Sequence, residues 1–213
     1  IAKENYEAID MLHSRKLPFV VCTGKSYSVS KTICENFKAS YGIFGNGAQI
    51  VDLKTGEELN RKILKPKQIS YCIKLARKYN LHIHFYTDTS IATENLKYMD
   101  LRNYLLKDYN ATELKFCIVP DIEEYIEEED PDIFSLILTS DGSLADLEEI
   151  INKHLTVSTS LINKKGVYRD NIINREYEYL NIAPNNINKN QALEFLSRYL
   201  MIPQSEMLAI GND

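Results

Sequence analysis

Phe19-Val20-Val21-Cys22-Thr23-Gly24-Lys25-Ser26 places four apolar residues in an unbroken row before a hydroxyl, a glycine and a cation. A continuous apolar run of this length reads as a strand buried on both faces, the kind found in parallel sheets. Ser26 suits an N-cap, and Val29, Ile33 and Phe37 then repeat every four residues, which predicts a helix directly after the strand. Working outward, Tyr6, Ile9 and Leu12 put a helix at about 3–15, and a short strand is expected at 41–44. Gly45-Asn46-Gly47 is a turn signal, and strands at 48–52 and 57–63 flank Lys54-Thr55-Gly56 as a hairpin.

The pattern changes at Pro66, which opens a helix followed by short strands at 81–86 and 90–93. A helix at 96–107, a strand at 114–119, an acidic helix at 121–129 and a strand at 133–139 come next. A Ser143-capped helix to 153 and strands near 155–162 and 166–170 complete this section. A strand at 177–183, a helix at 188–200 and a strand at 207–210 ending at Gly211 then return to the first pattern. The expectation is an α/β protein in which one parallel sheet is interrupted by a second domain: residues 1–62 and 173–213 form the first domain, and 63–172 the insertion.

Composition narrows the function. The 213 residues are 44% apolar and 26% charged, which is globular rather than disordered. A net charge of −5 and a pI of about 5.5 oppose binding to a phosphate backbone, so nucleic acid is not an expected partner. No run approaches the ~20 apolar residues of a membrane helix, and the first residues have no apolar stretch of a signal peptide, so a cytoplasmic protein is expected. Cys22, Cys34, Cys72 and Cys117 form no Cys-x-x-Cys pair and read as buried thiols. Asn110-Ala111-Thr112 matches a glycosylation acceptor and carries little weight without a secretory signal. The seven carboxylates between Glu123 and Asp132 read as a solvated face. His82 and His84 share one face of a strand and are expected to be partly exposed, with no third metal ligand evident.

In open parallel sheets, ligands gather at the carboxyl ends of strands. Thr23-Gly24-Lys25 stands at one such end and Gly211-Asn212-Asp213 at another, the second offering oxygen ligands that suit Mg²⁺. No Gly-x-Gly-x-x-Gly follows a predicted strand, which sets aside a dinucleotide site.

Residues 19–26 resemble the second motif of the haloacid dehalogenase superfamily, an apolar strand ending in Thr. Ile43-Phe-Gly-Asn-Gly-Ala-Gln-Ile50 resembles the Asn-Gly-Ala turn of its Cof branch. Tyr179-Leu-Asn-Ile-Ala-Pro184 with Asn188-Lys189-Asn190-Gln-Ala-Leu193 is similar to the third motif, and Ala209-Ile-Gly-Asn-Asp213 to the opening of the fourth. The resemblance implies a Rossmann-like core with an inserted α/β cap and Mg²⁺-dependent hydrolysis of small phosphate monoesters through an aspartyl-phosphate. By position, Thr23 and Lys189 would be catalytic, Gly24, Lys25, Asn46 and Gly47 would contact substrate, and Asn212 with Asp213 would lie at the metal. A small phosphorylated metabolite is the implied partner, with no membrane.

The chain departs from the pattern in several places. Asn212 stands where Asp is usual, Lys25 where Arg is usual, and Asn190 where Gly is frequent. Asp-x-Asp-Gly-Thr, the motif that carries nucleophile and acid, occurs nowhere in these residues. The chain opens in a helix under way and closes just after an apolar run, so both ends are expected to be cut and the residues as they stand to be inactive. The alternative is a non-catalytic remnant or a phosphate-ligand-binding module.

Overall fold

The computed structural model describes residues 3–98, 115–166 and 175–211. The chain divides into two compact units, residues 1–61 with 187–213 and residues 62–186.

The first unit holds helix α1 (Lys3–Ser14), strand β1 (Val20–Cys22), helix α2 (Tyr27–Asn36), strands β2 (Tyr41–Phe44), β3 (Gln49–Asp52) and β4 (Glu58–Arg61), and, after the second unit, helix α6 (Lys189–Leu200). Its sheet has the order β1-β2-β3-β4. β1 and β2 are parallel, with Val20 opposite Tyr41, while β2, β3 and β4 run antiparallel. The β3–β4 hairpin is closed by Asp52 Oδ1, which accepts the backbone N–H groups of Lys54 and Thr55. Strand alternation then splits the core in two. Phe44 and Val51 pack with Cys34 of α2 and with Ala39, whereas Ile43 and Ile50 face Ala192 and Leu196 of α6. The sheet is therefore a layer between α2 and α6, and each of the fully buried side chains Ile43, Phe44 and Ile50 contributes roughly 1.5–3 kcal/mol.

The second unit contains helices α3 (Pro66–Lys78), α4 (Ile122–Glu129) and α5 (Ala145–His154), with strands β5 (His82–Tyr86), β6 (Ser90–Thr93), β7 (Lys115–Ile118), β8 (Ser135–Ser140), β9 (Val157–Gly166) and β10 (Arg175–Pro184). Its sheet has the order β7-β6-β5-β8-β10-β9 and is antiparallel except for β6 and β7. Ile83, Phe85, Leu136, Leu138, Leu180 and Ile182 point to one face, where they meet Cys72, Ile73 and Ala76 of α3, Ile122 of α4 and Leu147 and Ile151 of α5. Pro66 starts α3, where its missing N–H costs nothing. Asp121 caps α4 by accepting from the N–H groups of Glu123 and Glu124.

Three expectations change. The strand at 177–183 is real but belongs to the second unit: β10 pairs with β9 from Arg175 to Pro184 and with β8 from Glu178 to Ile182. Its residues alternate in polarity, with Leu180 and Ile182 buried and Glu176 exposed, as suits a sheet covered by helices on one face. The unit boundaries accordingly fall at 61/62 and 186/187 instead of 62/63 and 172/173. The run Met207–Ile210 follows a 3-10 turn at Gln204–Glu206 and forms no strand; Leu208 is 86% and Ile210 91% exposed. An extended segment becomes a strand only when a neighbour satisfies its N–H and C=O groups, and none of the described strands pairs with it. Lastly, His82 and His84 are not partly exposed; both are buried. Most of the helix expected at 96–107, the strand at 166–170 beyond Gly166 and the Asn110-Ala111-Thr112 site lie outside the described residues.

Candidate active site

Three pieces of the first unit meet at the carboxyl ends of its two parallel strands. β1 ends in the loop Thr23–Lys25, β2 ends in a 3-10 turn at Gly45–Gly47, and α6 begins at Lys189. The backbone stitches the two loops together: Thr23 N–H donates to the Ile43 carbonyl (2.9 Å), Asn46 N–H to the Thr23 carbonyl (3.2 Å) and Gly45 N–H to the Lys25 carbonyl (2.9 Å). Lys25 N–H donates to Thr23 Oγ1 at 3.2 Å, which orients that hydroxyl and leaves its hydrogen for another acceptor.

Close approach explains the glycines. A Cβ on Gly24 would stand 2.8 Å from Asn46 Oδ1, so the Asn46 amide lies against the Gly24 backbone. Asn46 holds a left-handed backbone (φ 58°, ψ 23°) that Asn tolerates better than most residues. Gly47 has φ +108°, and a Cβ there would meet the Asn188 carbonyl oxygen at 2.7 Å. The turn after β2 therefore rests directly on the start of α6. Asn188 caps that helix, its Oδ1 accepting Gln191 N–H at 2.7 Å, and so fixes where Lys189 begins.

Electrostatics tie Lys189 to the same place. The Cys22 thiol, last residue of β1, is raised above its usual range by partial desolvation of its sulfur although the residue as a whole is exposed, and the Lys189 ammonium pulls it back down. Among the four thiols, Cys34 and Cys72 are buried and Cys117 half-buried, whereas Cys22 is exposed, contrary to the expectation of buried thiols. Burial pushes Cys34 up to about 11 and Cys72 up to about 12.

Thr23, Gly24, Lys25, Asn46, Gly47 and Lys189 are thus brought to one end of one sheet. Asn212 and Asp213 lie outside the described residues. Two neighbours escaped the sequence reading. Asn188 was legible, since Asn followed three residues on by Gln is a capping pattern. Gln191 was not: its side-chain oxygen is buried without a hydrogen-bond partner beside the start of α6, and nothing in a lone Gln signals that. The groups assembled from the described residues named above are a hydroxyl, an ammonium, an amide and the N–H groups at the start of a twelve-residue helix, and no carboxylate is among them. Such a set suits an oxyanion with several oxygens. It does not suit a cation, and among the described residues no three His, Cys, Asp or Glu gather to hold one.

Comparison with known proteins gives the family. A protein of Streptococcus pyogenes serotype M6 that carries a provisional phosphatase name is 22% identical over 218 residues, covering 100% of this chain and 74% of that one. A haloacid dehalogenase-like hydrolase from Bacteroides thetaiotaomicron superposes with a TM-score of 0.73 at 18% identity, over 100% of this chain and 75% of that chain. A sugar phosphatase of subclass IIB of the same superfamily gives a TM-score of 0.64 at 12% identity, over 97% of this chain and 71% of that chain. The family model for haloacid dehalogenase-like hydrolases matches residues 1–213. The chain belongs to the haloacid dehalogenase-like hydrolases, and its enzyme class is that of a phosphatase-type hydrolase.

Proposed function

We propose that this protein, together with the Asp-x-Asp-Gly-Thr motif of its family, hydrolyses small phosphate monoesters such as sugar phosphates, nucleotides or cofactor phosphates. The observation that carries the reading is the convergence of Thr23, Asn46 and the N-terminus of α6 with Lys189 beside the carboxyl end of β1.

Thr23 Oγ donates to a phosphoryl oxygen while Lys189 neutralises charge that builds on the others as the ester bond breaks. Gly24, which lets the Asn46 amide close on its backbone, and Asn46, with Gly47 behind it, contact the substrate from the two facing turns. Lys25 adds a second ammonium at the same loop. Asn212 and Asp213 are the residues assigned to hold Mg²⁺, which would supply Lewis-acid charge at the phosphoryl group. The second unit, residues 62–186, is assigned as the cap that selects the organic part of the ester. Free thiols without a Cys-x-x-Cys pair fit a reducing cytoplasm.

The test is phosphate release from a broad monoester panel, with and without Mg²⁺, by the gene product that includes the nucleophile motif. Turnover that Mg²⁺ restores, and that Lys189→Met lowers by about 10²-fold or more, is the expected result. Absence of release from every ester overturns the reading.

A further inference from the structure

The face of the six-stranded sheet turned away from α3, α4 and α5 carries His82 and His84, one alternation apart on β5. Their ring centroids are 5.6 Å apart, and the side chains are 95% and 94% hidden from solvent, being 5% and 6% exposed. Two of their ring nitrogens, His82 Nε2 and His84 Nδ1, are buried and have no hydrogen-bond partner among the described residues. An unsatisfied buried polar atom is costly, so two on neighbouring rings call for a group that meets both.

The chemistry of that group follows from the far side of His82. Lys97 N–H donates to Asn95 Oδ1 at 3.0 Å, which identifies that Asn95 atom as the oxygen. The same oxygen lies 3.1 Å from His82 Nδ1, so Nδ1 must carry the hydrogen. The neutral tautomer therefore leaves a lone pair on Nε2, pointing into the protein with nothing donating to it. A histidine whose distal N–H is anchored to a carbonyl oxygen while its other nitrogen is free is the arrangement found around metal-ligating imidazoles. Burial lowers the proton affinity of both rings, His84 to about 3, and keeps them in the neutral form that metals require.

We propose that His82 Nε2 and His84 Nδ1 together bind one borderline divalent transition ion, Zn²⁺ or its surrogate Co²⁺, with Asn95 as the positioning residue. Imidazole nitrogens select such ions over Mg²⁺, which takes oxygen ligands. The site is thus chemically distinct from the phosphoryl-transfer cation and independent of the phosphatase reading. Among the described residues no third His, Cys, Asp or Glu joins the pair, so water completes the coordination. The Tyr98 ring, 5.2 Å from His82, walls one side.

The full chain, its thiols first alkylated and its histidines isotope-labelled, is titrated with ZnCl₂ and followed by imidazole NMR. The His82→Gln and His84→Gln variants assign the signals and are checked for folding by circular dichroism. The expected result is one saturable site, with the His82 and His84 rings moving together at one equivalent and those of His13 and His154 unmoved. Each His→Gln change and Asn95→Ala should weaken binding roughly tenfold or more. Wild-type spectra in which fewer than two of the four imidazoles respond at one equivalent overturn the proposal even if no variant folds. Zn²⁺ binding that persists undiminished in a folded double His→Gln variant overturns it as well.

Discussion

At the scale of single residues, the contacts at Gly47 and the lone pairs of the buried histidines carry the sharpest consequences. Gly47→Ala forces a Cβ into the Asn188 carbonyl at 2.7 Å while the backbone stays at φ +108°. Chemical denaturation should show a loss of about 1–3 kcal/mol, and the displaced α6 start should weaken phosphate binding at Lys189 as well. His84 behaves differently, because its proton affinity is depressed in the folded protein, to about 3, by burial first and by His82 second. The unfolded chain, with an ordinary imidazole near 6.5, binds protons that the folded chain refuses. The His84 contribution to stability is therefore fully present above about pH 6.5 and is lost as pH falls from there towards 3. Urea midpoints measured across that range should drop less steeply for His84→Gln than for the wild type; parallel slopes would show that His84 is not the titrating group.

Elements place these residues. Lys189 stands at the candidate site because α6 starts there, and α6 starts there because Asn188 caps it. Asn188→Ala should cost about 1 kcal/mol in unfolding experiments and lower phosphate affinity beyond that loss of stability, since the first turn frays around Lys189. In the second unit, α4 is held to its neighbours by Arg77 of α3, which ion-pairs with Glu94 and lies 3.3 Å from Asp121. The Glu94 carboxyl is held below its usual range chiefly by its hydrogen bond from Arg77, and Glu94 also accepts the Ile122 N–H at 2.9 Å. The acidic run was rightly read as a solvated face for most of its length, since Glu123, Glu124 and Glu127–Asp130 are exposed. The cap at Asp121 and the buried Ile122 are what anchor it.

At the scale of the molecule, most buried apolar side chains among the described residues fall into three clusters, one within residues 62–186 and two within the other unit. A large cavity in one core should therefore be felt mainly where it is made. Leu138 is fully buried on β8, between β5 and β10. Leu138→Ala should cost roughly 3 kcal/mol. Hydrogen exchange should show lost protection in β5, β8 and β10 with that of β2 and β3 kept; uniform loss across both sheets would mean that the units unfold as one.

The sequence by itself determined most of the element types, the interruption of one unit by another and the residues of the candidate site's loops, because each is written in local chemistry. An unbroken apolar run makes a strand, although β1 at the sheet edge is only half-buried and not covered on both faces as expected; Gly-Asn-Gly makes a left-handed turn, and Asn before Lys-Asn-Gln starts a helix. Pairing partners were not local, and only the tertiary structure decided them. β10 joined the second unit's sheet since β8 and β9 offered it hydrogen bonds on both edges, and Met207–Ile210, equally apolar in sequence, made no strand. Burial of His82 and His84 was likewise a matter of what packs over a face. Alternation reveals which residues share a side of a strand, but whether that side meets water depends on segments distant in the chain.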